Sequence, residues 1–413
     1  MEKITLLQNR RVVLGVTGSI SVYKAVDLAS KLTQAGALVD VVMSESAQEF
    51  VTPLAFQAVT GRTVYTDMWR TSAGGLPTHI AHVGLGEGAD VLAIIPATAN
   101  TLAKLAHGLA DDLLSVTALA ARCPLVLAPA MDGGMYDHPA TQANLATLQQ
   151  RGATLIAPEE GRFASGLQGK GRLPETPTLL GYLRLVLAKR GALAGRRIVV
   201  TAGGTREAID PVRYVGNRSS GKQGYAIAQA ALDAGASVTL ITSAGLPAPV
   251  GAVMVTVESA RQMLEAVLAH SKDADALIMA AAVADFAPQT IATHKIKKKD
   301  DGDGLHLDLV RTPDILLEVR KHREATKFPR VVVGFAAESD DILANAQSKL
   351  ERKGLDLMVA NDITAVDAGF AVDTNRVTLL DAKGAHTALG LMSKAGVAEA
   401  IMKRLAGFFG GSA

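Results

Sequence analysis

Three segments of this chain occur twice in the same order, and that echo constrains the fold more than any other feature. Arg10-Arg11-Val-Val-Leu-Gly-Val-Thr17-Gly18-Ser19 parallels Arg196-Arg197-Ile-Val-Val-Thr-Ala-Gly203-Gly204-Thr205. Gly36-Ala-Leu-Val-Asp-Val-Val-Met-Ser44 parallels Gly235-Ala-Ser-Val-Thr-Leu-Ile-Thr-Ser243, and Ala89-Asp90-Val-Leu-Ala-Ile-Ile parallels Ala274-Asp275-Ala-Leu-Ile-Met-Ala. The first member of each set is an apolar run entering a Gly-rich turn. A helix follows it: Val22, Val26, Ala29 and Leu32 share one face at helical spacing, and Lys222 to Ala234 plays the same part in the second half. Strand, Gly turn, helix and second strand make a βαβ unit, and right-handed crossovers build such units into a parallel sheet. The expectation is an α/β chain of two Rossmann-like three-layer domains, residues 1–190 and 191–413, with mostly parallel sheets.

Bulk composition agrees. A chain of 413 residues has room for two or three domains, and 48% hydrophobic residues supply their cores. Only 4% are aromatic while Gly numbers 39, a balance that suits tight α/β turns better than a β-sandwich. The net charge of +2, with both signs dispersed, gives no reason to expect nucleic acid or a membrane as a partner. Cys123 is the single cysteine, so neither a disulfide framework nor a cysteine zinc site is expected. The charged start, Met1 to Arg10, lacks a secretory segment, and the expected location is the cytoplasm.

Between the halves, Thr176 to Ala194 reads as one helix. Strands are expected at Pro124–Ala128, Thr154–Ala157, Val331–Phe335 and Leu357–Ala360. Residues 288–310, with Lys295-Ile-Lys-Lys-Lys299, read as an exposed hairpin. That basic run lacks the interleaved aromatics of a nucleic-acid platform.

In the first half, Gly15-Val-Thr17-Gly18-Ser19 follows a strand and opens a helix, a place where backbone N–H groups and the helix dipole favour an anion. Ser44, ending the next strand, adds a hydroxyl. The small residues of Pro96-Ala97-Thr98-Ala99-Asn100 would let a planar ring approach a strand's carboxyl end, although Thr98 would equally serve as an ordinary N-cap. Pro129-Ala130-Met131-Asp132 follows another strand. His82 is a natural general base near neutral pH, with His79 as its rival.

Together these motifs resemble the flavin-dependent cysteine decarboxylases, specifically phosphopantothenoylcysteine decarboxylase, over about residues 8–180. The resemblance implies a flavodoxin-like half that binds FMN through Gly18, Ser19, Ser44, Pro96, Thr98 and Asn100. It implies substrate contacts at Met131 and Arg172. His82, eight residues before Asp90, has the family's spacing for the active-site base. Two departures stand out. The family's Pro-Ala-Met-Asn reads Pro-Ala-Met131-Asp132 here, and a carboxylate lacks the amide's donors. The family's flap Ala-Cys-Gly reads Ala164-Ser165-Gly166, and a serine hydroxyl is far less acidic than the thiol that donates the final proton.

In the second half, Thr201-Ala202-Gly203-Gly204-Thr205 and Asn217-Arg218-Ser219-Ser220-Gly221-Lys222 precede a helix; the latter lacks the spaced Gly of a Walker loop. Ala280-Ala-Ala-Val-Ala284-Asp285-Phe286, Thr312-Pro313-Asp314-Ile315, Val333-Gly334-Phe335 and Ala360-Asn361-Asp362 follow. This ordered series resembles phosphopantothenate–cysteine ligase of the CTP-using bacterial type over about residues 195–405. The resemblance implies that Asn217 handles an acyl-nucleotide intermediate and Ser219 lies near phosphate. It implies contacts to CTP from Asp285, Pro313, Asp314, Ile315 and Phe335, and triphosphate contacts from Lys295, Lys349 and Lys353, with Mg2+ accompanying the nucleotide and no dedicated protein metal site. Lys349 and Lys353 are four apart and can share a helix face.

The two resemblances imply a bifunctional enzyme of coenzyme A synthesis that ligates 4′-phosphopantothenate to cysteine and then decarboxylates the product. They also imply homo-oligomeric assembly, with trimeric decarboxylase and dimeric ligase contacts, up to a dodecamer. Two other readings of the first half stay open: a peptidyl-cysteine decarboxylase, and a non-catalytic flavin-binding subunit.

Overall fold

A computed structural model describes residues 2–69, 81–162, 166, 168–297, 305–338, 342–362 and 372–410. The chain divides into two compact units, Met1–Leu187 and Ala188–Ala413.

The first unit carries a parallel sheet of strands β1 (Arg11–Val16), β2 (Leu38–Met43), β3 (Val64–Tyr65), β4 (Val91–Ala97), β5 (Leu125–Pro129) and β6 (Thr154–Leu155). Their order is β3-β2-β1-β4-β5-β6. A hairpin, β7 (Glu159–Arg162) and β8 (Gln168–Arg172), stands apart from the sheet. Without the two-residue edge strand β3 the order is the flavodoxin type; with it, the Rossmann type. Alternation sorts the strand residues into two cores. Val12, Leu14 and Val16 of β1 join Ala93 and Ile95 of β4 beneath the helices Val22–Gln34 and Thr176–Leu187. Val13, Leu92 and Ile94 face the opposite layer with Leu102, Leu114 and Leu145. Both faces of the sheet are covered, which is why its strands read as continuous apolar runs.

The second unit repeats the plan. Its strands are β9 (Arg197–Ala202), β10 (Arg206–Ala208), β11 (Tyr214–Gly216), β12 (Ser237–Thr242), β13 (Val253–Thr256) and β14 (Ala276–Met279). They continue with β15 (Phe286–Pro288), β16 (Leu309–Arg311), β17 (Val331–Glu338), β18 (Leu357–Asp362), β19 (Thr374–Asn375), β20 (Val377–Asp381), β21 (His386–Ala388) and β22 (Met392–Ser393). The main sheet runs β13-β12-β9-β14-β17-β18-β20-β21; it is parallel through β18 and antiparallel beyond it. The expected hairpin is present where β15 pairs antiparallel with β16, and its Lys298–Lys299 lie outside the described residues.

The echoed motifs have one physical role in both units. Asp90 Oδ2 accepts from the Arg11 backbone N–H at 2.7 Å and Asp90 Oδ1 from the Arg10 guanidinium at 2.7 Å. Asp275 does the same for Arg197 N at 3.0 Å and Arg196 at 3.2 Å. Each carboxylate, at the entry to the fourth main strand, fastens the entry of the first.

Two expectations were too long. The helix expected from Thr176 to Ala194 stops at Leu187 and tightens into a 3-10 turn, Ala188–Arg190, before Gly191. A Cβ at Gly191 would lie 2.3 Å from the Ala234 carbonyl oxygen, so the chain turns where only glycine fits. The strand expected at Thr154–Ala157 pairs only over Thr154–Leu155.

Asp90→Ala removes an acceptor from a main-chain N–H and a guanidinium, and should lower the unfolding free energy by about 1–3 kcal/mol. Arg122→Ala, which loses only a 3.7 Å contact to Glu87 at the surface, should change it by less than about 0.5 kcal/mol. Urea unfolding followed by circular dichroism would distinguish the two; equal losses would contradict the assignment.

Candidate functional site

In an α/β sheet, ligands sit at the carboxyl ends of strands where the strand order reverses. That point falls between β1 and β4 in the first unit and between β9 and β14 in the second.

In the first unit the two turns at this point are locked by Thr17, which sequence reasoning passed over. Its buried hydroxyl donates to the Pro96 carbonyl at 2.7 Å and accepts from Thr98 N at 3.1 Å. Thr98 caps the helix Ala99–His107 through Thr101 N. Ser44 caps the short helix Glu45–Gln48 through Ala47 N at 3.2 Å. Gly18 meets that helix directly: a Cβ there would be 2.6 Å from Ser46 Cβ. Ser19 Oγ lies 2.9 Å from Ser21 Oγ, beside the start of the helix Val22–Gln34. Asn100 is exposed on the first turn of its helix. Gly18, Ser19, Ser44, Pro96 and Thr98 therefore converge on one end of the sheet, a hydroxyl-rich surface at helix starts beside a smooth Ala97–Thr98 turn. This surface fits a phosphate with a flat ring beside it.

Backbone bonds extend the site. Ala130 N donates to Ala97 O at 3.1 Å, and Met131 N donates to Gly171 O at 3.1 Å, which ties the β7–β8 hairpin to the turn after β5. Asp132 caps the helix Gly133–Asp137, accepting from Gly134 N at 3.1 Å. His82 opens the helix Ala81–Gly88, whose far end lies against Arg11 at the start of β1, so the imidazole sits toward the carboxyl end of the sheet. Among the described residues its buried Nδ1 has no hydrogen-bond partner. Arg172 is exposed and bonded to Glu175 at 2.7 Å. Glu175 also takes the Lys24 ammonium at 2.9 Å, and that ammonium, foremost, holds the Glu175 carboxyl below the usual carboxylate range. Lys24 is buried and donates to Leu173 O at 2.7 Å, a role its place on an apolar helix face did not signal. Ser165 lies outside the described residues. Cys123 is part-buried against the core near the start of β5, and burial pushes its thiol up.

The second unit uses the same device twice. Thr201 Oγ1 accepts from Ala281 N at 3.1 Å and Thr205 Oγ1 from Ala284 N at 2.9 Å, both hydroxyls fully buried. Asn217 Nδ2 donates to Val283 O at 3.0 Å. These ties frame a cavity of about 780 Å3 lined by Asn217, Ser219, Asp285, Phe335, Lys349 and Lys353, and by Pro313, Asp314 and Ile315. Asp314 caps the helix Ile315–Thr326 and pairs with Lys353 at 3.2 Å. Arg311, Arg352, Asn361, Asn375 and Lys394 also line the cavity and were missed. Asn361 was visible only as part of a matched string, and Lys394 only as the start of a helix.

Lys295 is exposed and outside the cavity lining. Its neighbour Ile296 is anchored: Asp210 accepts from Ile296 N at 3.2 Å, and Arg213 donates to Ile296 O at 2.9 Å. The Arg213 guanidinium, foremost, holds the Asp210 carboxyl far below its ordinary value. Among the described residues no group of His, Cys, Asp or Glu is arranged to hold a metal. No described helix is long and apolar enough to cross a membrane.

Fold and site thus define a two-unit α/β protein, with a hydroxyl-rich strand-end surface in the first unit and a ligand-sized cavity in the second. Comparison with known proteins narrows the class. A family model for flavoproteins matches residues 2–187, and one for the DNA/pantothenate metabolism flavoprotein C-terminal domain matches residues 193–408. The coenzyme A biosynthesis bifunctional protein CoaBC of Bacillus subtilis is 47% identical over 405 residues, covering 97% of this chain and 98% of the relative. Its counterpart from Mycobacterium tuberculosis is 45% identical over 414 residues, covering 97% of each. The chain belongs to this family of bifunctional coenzyme A biosynthesis proteins, which join a flavoprotein decarboxylase domain to a ligase domain. Among solved structures, the C-terminal domain of a CoaBC protein is 37% identical, with a TM-score of 0.45, over 54% of this chain and 100% of that one. A PPC decarboxylase mutant complexed with pantothenoylaminoethenethiol is 35% identical, with a TM-score of 0.40, over 43% of this chain and 98% of that one.

Thr17→Val strands the Pro96 carbonyl and the Thr98 amide in a buried turn. The first unit should lose about 1–3 kcal/mol of stability in urea unfolding. An unchanged midpoint would show that Thr17 does not lock the two turns.

Proposed function

We propose that the ligase unit activates the carboxylate of 4′-phosphopantothenate with CTP and passes the acyl group to cysteine, and that the flavoprotein unit decarboxylates the product to 4′-phosphopantetheine. The observation that carries this reading is the second unit's cavity, where Asn217, Asp285, Phe335, Lys349 and Lys353 meet around the carboxyl ends of β14 and β17. A carboxylate is a poor acyl donor to an amine. Its oxygen attacks the α-phosphorus of CTP, the bond to pyrophosphate breaks, and an acyl-cytidylate results. Lys349 and Lys353, with Mg2+ carried by the triphosphate, offset the charge that develops. Lys295, on the arm held by Asp210, supplies a further cation. Asn217 and Ser219 hold the intermediate, while Asp285, Phe335 and the Pro313–Ile315 turn hold the nucleoside. The amine of cysteine then displaces CMP.

In the first unit, Gly18, Ser19, Ser44, Pro96, Thr98 and Asn100 hold FMN, which when bound supplies a two-electron acceptor for the cysteinyl thiol and returns the electrons after CO2 has left. His82 takes the thiol proton, and its buried Nδ1, with no partner among the described residues, leaves a ring nitrogen for that exchange. Met131 and Arg172 border the substrate. Asp132 faces its carboxyl group, where like charge favours loss of CO2. The full-length identity to bifunctional relatives supports a decarboxylase acting on the ligase's own product rather than on a peptide, and homo-oligomeric assembly of the chain is part of the same reading.

Purified protein given phosphopantothenate, cysteine, CTP and Mg2+ should release CMP and CO2 in equal amounts and prefer CTP to ATP. CMP without CO2 would leave only the ligase; an ATP preference would refute the nucleotide assignment. Asp132→Asn keeps an N-cap and should retain CO2 release within about threefold, whereas Asp132→Ala should lose about tenfold or more. Full activity in Asp132→Ala would exclude this residue from the reaction.

A further inference from the structure

The ligase cavity has cations on two opposite sides of its sheet. Val332 and Ala336 of β17 and Met358 and Ala360 of β18 pack into one core with the helices that carry Leu316 and Leu350. Lys349, Arg352 and Lys353 belong to the helix on that face, Ile342–Lys353. Strand alternation turns Asn361, which follows Ala360, to the other face. Its partner across the ladder is Val377 of β20, just beyond Asn375. Asn375 Nδ2 lies 3.4 Å from Gln223 Oε1, and Gln223 Nε2 donates to Lys394 O at 3.1 Å. Asn361, Asn375, Gln223 and Lys394 all line the cavity.

Two of these groups are unusual. Lys394 is 7% exposed, and the one acceptor bonded to its ammonium among the described residues is the Val372 carbonyl, against a capacity of three donors. Asn361 is 9% exposed, and its Oδ1 has no donor among the described residues. A buried ammonium calls for an anion and a buried carboxamide oxygen calls for an N–H or O–H. A phosphate monoester offers acceptors and would serve only the first. An α-amino acid offers both, a carboxylate and an amine two bonds apart.

We infer that Asn361 and Lys394 form the cysteine subsite of the ligase, Lys394 taking the carboxylate and Asn361 Oδ1 accepting from the amine. The inference rests on the ligase reading above and assigns residues to the substrate that reading leaves unplaced. With the amine held on the face opposite Lys349 and Lys353, its nitrogen forms the amide C–N bond as the acyl C–O bond to CMP breaks. CMP leaves with the electron pair, and one N–H proton passes to solvent.

Steady-state ligation by the full chain tests this. Asn361→Leu should raise the KM for cysteine at least about tenfold, with the KM for phosphopantothenate and for CTP within twofold. Because it deletes a buried acceptor that has no donor among the described residues, its Tm should equal or exceed that of the parent. Lys394→Gln should lower kcat/KM for cysteine at least about tenfold while leaving kcat/KM for cysteamine, which has no carboxylate, within twofold. Both variants should still release pyrophosphate from CTP and phosphopantothenate when cysteine is absent. A rise in the KM for phosphopantothenate instead would make this a phosphate subsite and overturn the inference, as would equal losses with cysteine and cysteamine. A parent enzyme that makes no CMP at all would overturn the ligase reading itself, a result seen before any variant is compared.

Discussion

The pairing of the first strand with the fourth is the constraint on which each unit depends. In the first unit Asp90 fastens β1 to β4 at their entry and Thr17 fastens them at their exit. In the second, Asp275 and Thr201 do the same for β9 and β14. The crossover order reverses across this pair, so the chain leaves in opposite directions on its two sides and a cleft opens where the turns part. A cleft gains nothing if its walls drift. A threonine hydroxyl on one turn, bonded to the backbone of the other, holds them at hydrogen-bond distance without filling the space between. Valine would pack as well and hold nothing, which separates the packing role of these positions from their role in shaping the site.

What each cleft can do follows from what lies on its rim. The first is lined by hydroxyls, small residues and the starts of helices. Such a surface binds and orients but offers few charges, which suits chemistry carried largely by a bound ring system. The second carries Lys349, Arg352 and Lys353 on one face of its sheet and Lys394 on the other. Polyphosphate chemistry needs that charge, and a carboxylate such as Asp314, paired with Lys353, keeps the cationic face from standing uncompensated before substrate arrives. On the proposed reading, asymmetry between the faces supplies direction: charge that meets a leaving pyrophosphate on one side does not compete with the group that receives an incoming amino acid on the other.

The fold was legible because its signals are local. A run such as Val12–Val16 followed by Gly18 and an amphipathic helix announces a strand, a turn and a helix within a few residues, and its echo near residue 197 announces a second copy. Cavity-lining residues within those strings, Asn217 or Asp285 for example, were legible as well, since the motif places them. Three kinds of residue were not. Thr17 looks like any turn threonine until Pro96 is brought beside it by the crossover. Lys24 sits where the helical pattern asks for an apolar side chain, and only Leu173 and Glu175, far along the chain, explain it. Lys394 and Asn361 approach one cavity from separate elements with no spacing to betray them. The helix expected through Ala194 failed for a related reason: the stop at Leu187 answers to the close backbone approach at Gly191, a tertiary contact.

Asp132 shows how far one interaction can account for a departure from a family's pattern. The family's asparagine occupies the residue before a helix, and Asp132 still caps that helix through Gly134 N. Asparagine and aspartate are nearly equal as N-caps, so the local structure does not distinguish them. What the exchange alters is the other side of the group: an amide offers a donor and an acceptor, a carboxylate only acceptors and a charge. Toward a substrate carboxylate that change turns attraction into repulsion. Repulsion weakens binding of the ground state, but as neutral CO2 leaves, the charge moves away from Asp132 with the electron pair of the broken carbon–carbon bond, so part of the cost is recovered on the way to the transition state. On the proposed reading the substitution exchanges affinity for ease of carbon–carbon cleavage while keeping the helix cap that follows Met131.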